Sequence, residues 1–244
     1  KDKFIRHAPC NNCRSKDNLA IYNTHSYCFG CKIYIKHDGQ TLDQPPIVKK
    51  EFKDMITGIN EALPKRKITS ETCKIFNYET GIYNDKHCHI SNYYDKNYQK
   101  VAQHLRFLDK SFVWLGDTDK ICLFGQNLWR DGGKMIVICE GELDAMSCSQ
   151  MNNNKYPVVS VPSGAASAKK YITRELEWLS KFEKILLFFD NDEAGTSASI
   201  ECANILPVKR VRIVKAQGKD ANQLLIDGKG HKITEAIWEA KAFT

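Results

Sequence analysis

The chain has no run of eighteen apolar residues, so it holds no candidate membrane-spanning helix. No leader-peptide pattern opens it, and it begins at Lys1, as expected of a trimmed, non-secreted chain. Internal repeats and low-complexity tracts are absent. No glycine-rich loop ends in Lys-Ser or Lys-Thr, so there is no Walker site. Prolines number only seven, and two of them stand together, at Pro45 and Pro46. What is present is 244 residues with 42% hydrophobic content, enough for one sizeable core and a small satellite. Thirty-six basic against twenty-nine acidic residues give +7, which permits a polyanionic partner without requiring one. Of ten cysteines, six (Cys73, Cys88, Cys122, Cys139, Cys148, Cys202) are scattered, several of them in apolar stretches where the thiol behaves as a small buried hydrophobe. That usage fits a reducing, cytoplasmic compartment and a single metal site rather than a disulfide scaffold.

Three textures divide the chain. Residues 1–41 are rich in Cys and aromatics and lack a long helical pattern, while 42–55, with the proline pair and alternating charge, read as a linker. Residues 56–129 are mixed. There "SETCKIFNYETGIY" opens with Ser70 as a helix cap, and "CHISNYYDK" and "KVAQHLRFL" read as strands. From 130 to 244 the pattern alternates, with strands at 134–139, 156–161, 184–189 and 208–214 and helices at 143–152, 168–180, 193–206 and 232–242. Strands separated by helices imply right-handed crossovers and a mostly parallel sheet, whose ligands gather beyond the carboxyl ends of the strands.

Cys10 and Cys13 in "CNNC" and Cys28 and Cys31 in "CFGC" form two knuckles. Each offers two sulfurs at the geometry zinc accepts, and four thiolates leave no open position for a catalytic water, so the expected ion is a single structural zinc. In so small a domain metal binding would supply roughly 10 kcal/mol or more of folding free energy. Between the knuckles, "RSKDNLAIYNTHSY" interleaves basic, polar and aromatic groups. Such a ribbon suits stacking on bases, with Asn23 and His25 as base contacts; an ordinary solvated face has the same composition.

Carboxylates collect at predicted strand ends. "CEGELDAMS" supplies Glu140, Glu142 and Asp144, "FFDNDEAG" supplies Asp190 and Asp192, and "GKDANQLL" supplies Asp220. Twofold alternation continued past the strand would aim Asp190 and Asp192 to one side. Two such charges about 5 Å apart repel by roughly 3 kcal/mol at an effective dielectric of about 20, so the set must protonate in part or bind a cation. Hard oxygen ligands select one or two Mg²⁺ or Mn²⁺ ions, which share their remaining positions with water and phosphates. Asp192 also suits a helix cap, and Asp220 the start of a turn. "PSGAASAKK" allows close backbone approach to phosphate at a helix start. Lys100, Arg106 and Lys110 precede the acidic motif and suit nucleotide phosphates or a solvated surface. "HCH" (87–89) has metal-binding residue types but no second knuckle, and is incidental.

E-G-E-x-D after one strand, D-x-D after another and K-D-A-N beyond the next resemble the TOPRIM fold of DnaG-type primases and topoisomerases. With the four-cysteine ribbon, "LFGQNLWRDGGK", "KYPVVSVPSGAASAKK" and "LPVKRVRIV", the order is similar to the primase half of T-seven-type bacteriophage primase–helicases, over nearly the whole chain. The resemblance implies an α/β protein: a small N-terminal zinc ribbon joined to a primase RNA polymerase domain with a TOPRIM parallel-sheet core. It implies metal-dependent nucleotidyl transfer from ribonucleoside triphosphates, making short RNA primers on a single-stranded DNA template. A replicative helicase, fused or separate, and a DNA polymerase are the implied partners, in a host cytoplasm. Cys10, Cys13, Cys28 and Cys31 match the zinc ligands. Glu140, Asp190 and Asp220 match the magnesium ligands, with Asp192 in the catalytic set and Glu142 and Asp144 as further acidic groups. Lys100 and Lys110 match nucleotide-handling positions, and Arg106 does so across a spacing that departs from the family. His25 matches a template-reading position, and Asn23 stands where a family member carries Asp, so the template signal differs. Glu140 is a candidate proton acceptor. No helicase motif follows, which fits a stand-alone primase or an excised piece.

Two other readings share these parts. Recombination mediators pair a four-cysteine finger with a TOPRIM core as non-catalytic clamps, but need no full acidic set. A TOPRIM nuclease uses similar carboxylates, and a topoisomerase requires an active tyrosine in a further domain.

Overall fold

The structure, a computed structural model, describes residues 2–37, 52–207 and 209–243. It divides into two compact units, Lys1–Phe52 and Lys53–Thr244. The linker expected over 42–55 lies outside the described residues except for its last four positions, which form no regular element.

The first unit is an antiparallel meander of β1 (Phe4–Ala8), β2 (Leu19–Tyr22), β3 (His25–Cys28) and β4 (Tyr34–Lys36). Its core is Ala8, Leu19 and Ile21 with the sulfurs of Cys10 and Cys28. So few apolar groups fall far short of the entropy cost of ordering the chain.

The second unit begins with α1 (Ser70–Phe76). Its cap is Thr69, not Ser70. Thr69 holds extended backbone and its hydroxyl accepts the Thr72 N–H at 3.3 Å, whereas Ser70 is already helical. Thr69→Ala is expected to cost about 1 kcal/mol in a urea melt without changing the slope of the transition. There follows an antiparallel meander, β5 (Tyr78–Tyr83), β6 (Lys86–Tyr94), β7 (Lys100–Phe107) and β8 (Phe112–Gly116). Asn84 and Asp85, both at positive φ, make the tight β5–β6 turn. One face of this sheet packs Ile90, Leu105, Phe107 and Leu115 into a local cluster, while Tyr78, Tyr93 and Ala102 join the main core. Gly116 closes β8 at φ +74, where a Cβ would lie 2.3 Å from the Val101 carbonyl oxygen.

The expected alternation then appears: β9 (Ile136–Cys139), α2 (Glu142–Met151), β10 (Val158–Ser160), α3 (Ala165–Arg174), α4 (Leu176–Leu179), β11 (Ile185–Phe188), α5 (Glu193–Ala203), β12 (Val211–Ile213), α6 (Ala221–Ile226) and α7 (His231–Glu239). The helix expected over 168–180 is two helices meeting at Glu175, and α6 is an addition to the expected set. All pairings are parallel, in the order β10-β9-β11-β12. "IVIC" and "ILLF" are wholly buried, as strands covered on both faces must be. α2 packs with α1, α6 and α7, and α3 with α4 and α5, so the helices form two groups for the two faces. The sheet order reverses between β9 and β11, and the crevice beyond the carboxyl ends of those strands is where such a fold places a ligand. All ten cysteines are free thiols, and the six outside the knuckles are buried. No helix among the described residues is long and apolar enough to cross a membrane.

Candidate active site and metal centre

In the first unit the two knuckles are built alike. Arg14 N–H donates to the Cys10 carbonyl at 2.7 Å and Lys32 N–H to that of Cys28 at 2.8 Å. Arg14 and Lys32 occupy the same left-handed conformation, at φ +57 and +59. The four sulfurs all lie within 4.8 Å of one another, with Cys10–Cys31 at 3.7 Å and Cys13–Cys28 at 3.5 Å. A tetrahedron of thiolate–zinc bonds has edges of roughly 3.8 Å, so the donor set and spacing fit that ion. Burial pushes the Cys10 thiol up to about 12, while Ser15, whose hydroxyl oxygen lies 3.3 Å from Cys13 Sγ, draws Cys13 down to about 6. His25 stacks against Tyr22 (4.5 Å, 11°) and Tyr34 (4.9 Å, 21°), which covers its faces; Nδ1 lies 3.1 Å from Thr24 Oγ1, so the Nε2 side of its edge is left for contact. Asn23 Oδ1 accepts the Lys3 N–H at 2.8 Å, pinning the start of the ribbon.

In the second unit, a cleft of about 490 Å³ lies over the carboxyl ends of β9 and β11. Glu140 directly follows β9 and Asp190 follows β11 by one residue; Glu140 Oε2 accepts the Asp190 N–H at 3.3 Å. Asp220 enters from the start of α6, where it also caps Gln223 N–H at 2.7 Å. Glu142 and Asp144, in the first turn of α2, line the same cleft. The structure thus brings together five of the six predicted acidic residues. Asp192 is placed otherwise: the strand ends at Phe188, alternation stops there, and Asp192 caps α5 by accepting the Gly195 N–H at 2.8 Å.

Among the described residues no three carboxylates approach as closely as the four sulfurs do. Their mutual field is nonetheless strong. Burial, then the charges of Glu140, Asp220 and Asp192, raise Asp190 to about 7. Burial and Asp220 push Asp144 well above the carboxylate range, although it accepts the Asn222 N–H at 2.9 Å. Hard oxygens spread around one crevice and repelling one another fit a magnesium-type cation, which takes few carboxylates and completes its shell with water or phosphate. Burial alone would raise Glu142; the hydrogen bond and charge of His104 outweigh it, and Glu142 sits below its ordinary range.

The same cleft carries cations: Arg66, Arg106 and Lys219 line it, with Arg106 lying 5.5 Å over the Phe112 ring. Ser163 and Gly164, both at positive φ, bring the start of α3 to the cleft beside Glu140. Lys100 stands exposed at the start of β7, outside the cleft, and Lys110 lies in the following turn, lining a neighbouring groove with Arg106. Arg66, His104, Lys219 and Asn222 are among the cleft residues that the sequence pattern did not single out. The period of two along β7 carried a signal for His104, since it shares a face with Arg106.

Residues 137–225 match the Toprim-like family and 58–116 match the family of the bacteriophage T7 DNA helicase/primase N-terminal α+β fold. The chain is 35% identical to the DNA helicase/primase of Enterobacteria phage T3 over 97% of its own length, and spans 44% of that protein. It is 34% identical to the crystallised primase fragment of the bacteriophage T7 primase-helicase, covering 97% of this chain and 100% of that one, with a TM-score of 0.73. It is 38% identical, over 76% of this chain and 94% of that one, with a TM-score of 0.72, to a T7 primase domain seen with the lagging-strand DNA polymerase and an RNA/DNA hybrid. Ribbon, crevice and sequence agree: this chain belongs to the family of the T7-type phage primase–helicases, matching their primase part.

Proposed function

We propose that this chain is a DNA primase, which joins ribonucleotides into short RNA primers on a single-stranded DNA template. The observation that carries this is the crevice between β9 and β11, whose lining gathers Glu140, Asp190 and Asp220 together with Arg66, Arg106 and Lys219. Carboxylates and cations lining one cleft suit a triphosphate held with a cation, whereas a clamp that only binds DNA has no use for repelling, proton-retaining carboxylates.

Glu140, Asp190 and Asp220 would hold the divalent ion, which supplies charge neutralisation at the triphosphate and activation of the attacking hydroxyl. Arg66, Arg106 and Lys219 draw in and orient the nucleotide phosphates. The backbone at Ser163 and Gly164 allows close approach at the start of α3. The primer's 3′ hydroxyl gives up its proton, to Glu140 or to water, as its oxygen bonds to the α-phosphorus of the incoming nucleotide, and the bond from that phosphorus to the leaving pyrophosphate breaks. Asp192 acts from one step away, by fixing the turn after Asp190 and adding to its field. Lys100 and Lys110, outside the cleft, suit the template or primer backbone better than the triphosphate.

In the first unit the four cysteines hold one structural zinc, and the edge of His25 reads the template, with Asn23 fixing the strand beside it. The ribbon occupies residues 1–41, the polymerase part 56–244. A replicative helicase and a DNA polymerase in a host cytoplasm are the proposed partners, since the relatives include a helicase/primase and a primase domain seen with a polymerase.

One assay tests the reading: a library of single-stranded templates, labelled ribonucleoside triphosphates and Mg²⁺. Short RNA is expected. Template cleavage would point to a nuclease, and binding without either product to a clamp.

A further inference from the structure

β7 turns alternate residues toward the cleft, and one of them, His104, is fixed on every side but one. Its side chain is 8% exposed. The ring stacks on Trp114, its register partner on β8, at 4.3 Å and 14°, and on Phe112 at 4.9 Å and 16°. Two near-parallel rings that close must lie on opposite faces of the imidazole. Nδ1 stands 2.7 Å from Glu142 Oε1, the same oxygen that accepts the Tyr93 hydroxyl at 2.8 Å. Glu142 is the first residue of α2, where the helix dipole favours an anion. A carboxylate only accepts, so Nδ1 carries a proton.

Nε2 has no hydrogen-bond partner among the described residues, and His104 lines the cleft. Nε2 is not a fully buried atom, so the small exposed part of the ring opens to the cleft, where a ligand group can take the place of water. Arg66 and Arg106, which line the same cleft, call for an anion.

We infer that His104 contacts the nucleotide directly, its Nε2–H donating to a phosphate oxygen, and that Glu142 is the positioning residue that sets the ring. The inference rests on the cleft being a nucleoside triphosphate site. It gives the Glu-Gly-Glu motif two separate tasks: Glu140 would hold the cation, while Glu142 is spent on the histidine. The Nδ1–H bond to Glu142 aims Nε2 at the cleft, and the aromatic stack denies the ring any other rotamer.

The test uses the wild-type chain, labelled with ¹⁵N-histidine and followed by long-range proton–nitrogen NMR. The His104 signal is assigned by its loss in His104→Gln. Addition of ATP with Mg²⁺, and of inorganic triphosphate with Mg²⁺, is expected to move Nε2 toward the protonated position, and adenosine is not. In primer synthesis, His104→Ala should raise KM for the nucleotide about ten- to hundredfold with a smaller change in kcat. His104→Gln, which keeps a donor, should recover part of the loss, and Glu142→Gln should reproduce part of it. An Nε2 signal indifferent to ATP, with wild-type primer synthesis intact, overturns the contact and leaves the primase reading standing. Movement with adenosine alone overturns the phosphate assignment. Movement with ATP in a protein that makes no primer on any template upholds the contact and removes the polymerase.

Discussion

Asp190→Asn lowers primer synthesis at least about a thousandfold, which is roughly 4 kcal/mol of lost transition-state stabilisation. The substitution keeps the shape of the side chain and the backbone N–H that donates to Glu140, and removes only the charge. The same charge strains the fold. Asp190 takes up its proton at about 7 in the native protein, against roughly 3.9 in an unfolded chain. A native value above the unfolded one means stability that is fully present below about pH 4 and lost as pH rises through 7. In chelator, the wild-type Tm therefore falls between pH 5 and 8. Asp190→Asn flattens that fall and melts higher at pH 8, and Mg²⁺ restores the wild type but not the variant. Scanning calorimetry beside the primer assay reads all of this. Undiminished primer synthesis by the variant, or a wild-type Tm that climbs over the same pH range, would contradict the role given to Asp190.

How far such a site can be read in advance depends on which forces set each part. β9 and β11 were legible because strands covered on both faces must be continuous apolar runs, and the acids just beyond them inherit their position from the sheet. The knuckles were legible because two-residue spacing is itself the geometry of a sulfur pair. Asp192 shows where local pattern stops being a guide: alternation is a property of a strand, and at Phe188 the strand is over. Thr69 and Ser70 offer the same chemistry side by side, and only backbone conformation chooses between them. His104 was hidden for a different reason. Its surroundings come from Trp114 on the next strand and from Glu142, thirty-eight residues away and on a helix, so "QHLRF" carries only the face His104 shares with Arg106. Lys100 and Arg106 look alike in the sequence for the same cause, since distance from the cleft, not type of side chain, separates them.

Removing metal from the four cysteines unfolds the first unit. Ala8, Leu19 and Ile21 are its only buried apolar side chains apart from Ala20 and the cysteines, among the described residues. An apolar area that small, at about 25 cal/mol per Å², cannot offset the ordering of some three dozen residues at roughly 1–2 kcal/mol each. Structural zinc in comparable peptides supplies about 10 kcal/mol or more, so the ion decides whether this ribbon exists. Treatment with chelator, or Cys28→Ser, is expected to collapse the backbone NMR dispersion of residues 2–37 and leave that of 52–243 in place. Zinc content should fall from one equivalent to none, and template-selective primer synthesis should go with it. The two ends of the thiol range set the pH dependence. Cys10, at about 12, must give up a proton to bind, whereas Cys13, at about 6, is already a thiolate at neutral pH. Metal uptake therefore releases protons and tightens as pH rises, so the chelator concentration needed to melt the ribbon climbs from pH 6 to pH 8. A ribbon that stays dispersed after complete metal removal would show that its fold owes nothing to the four sulfurs acting together.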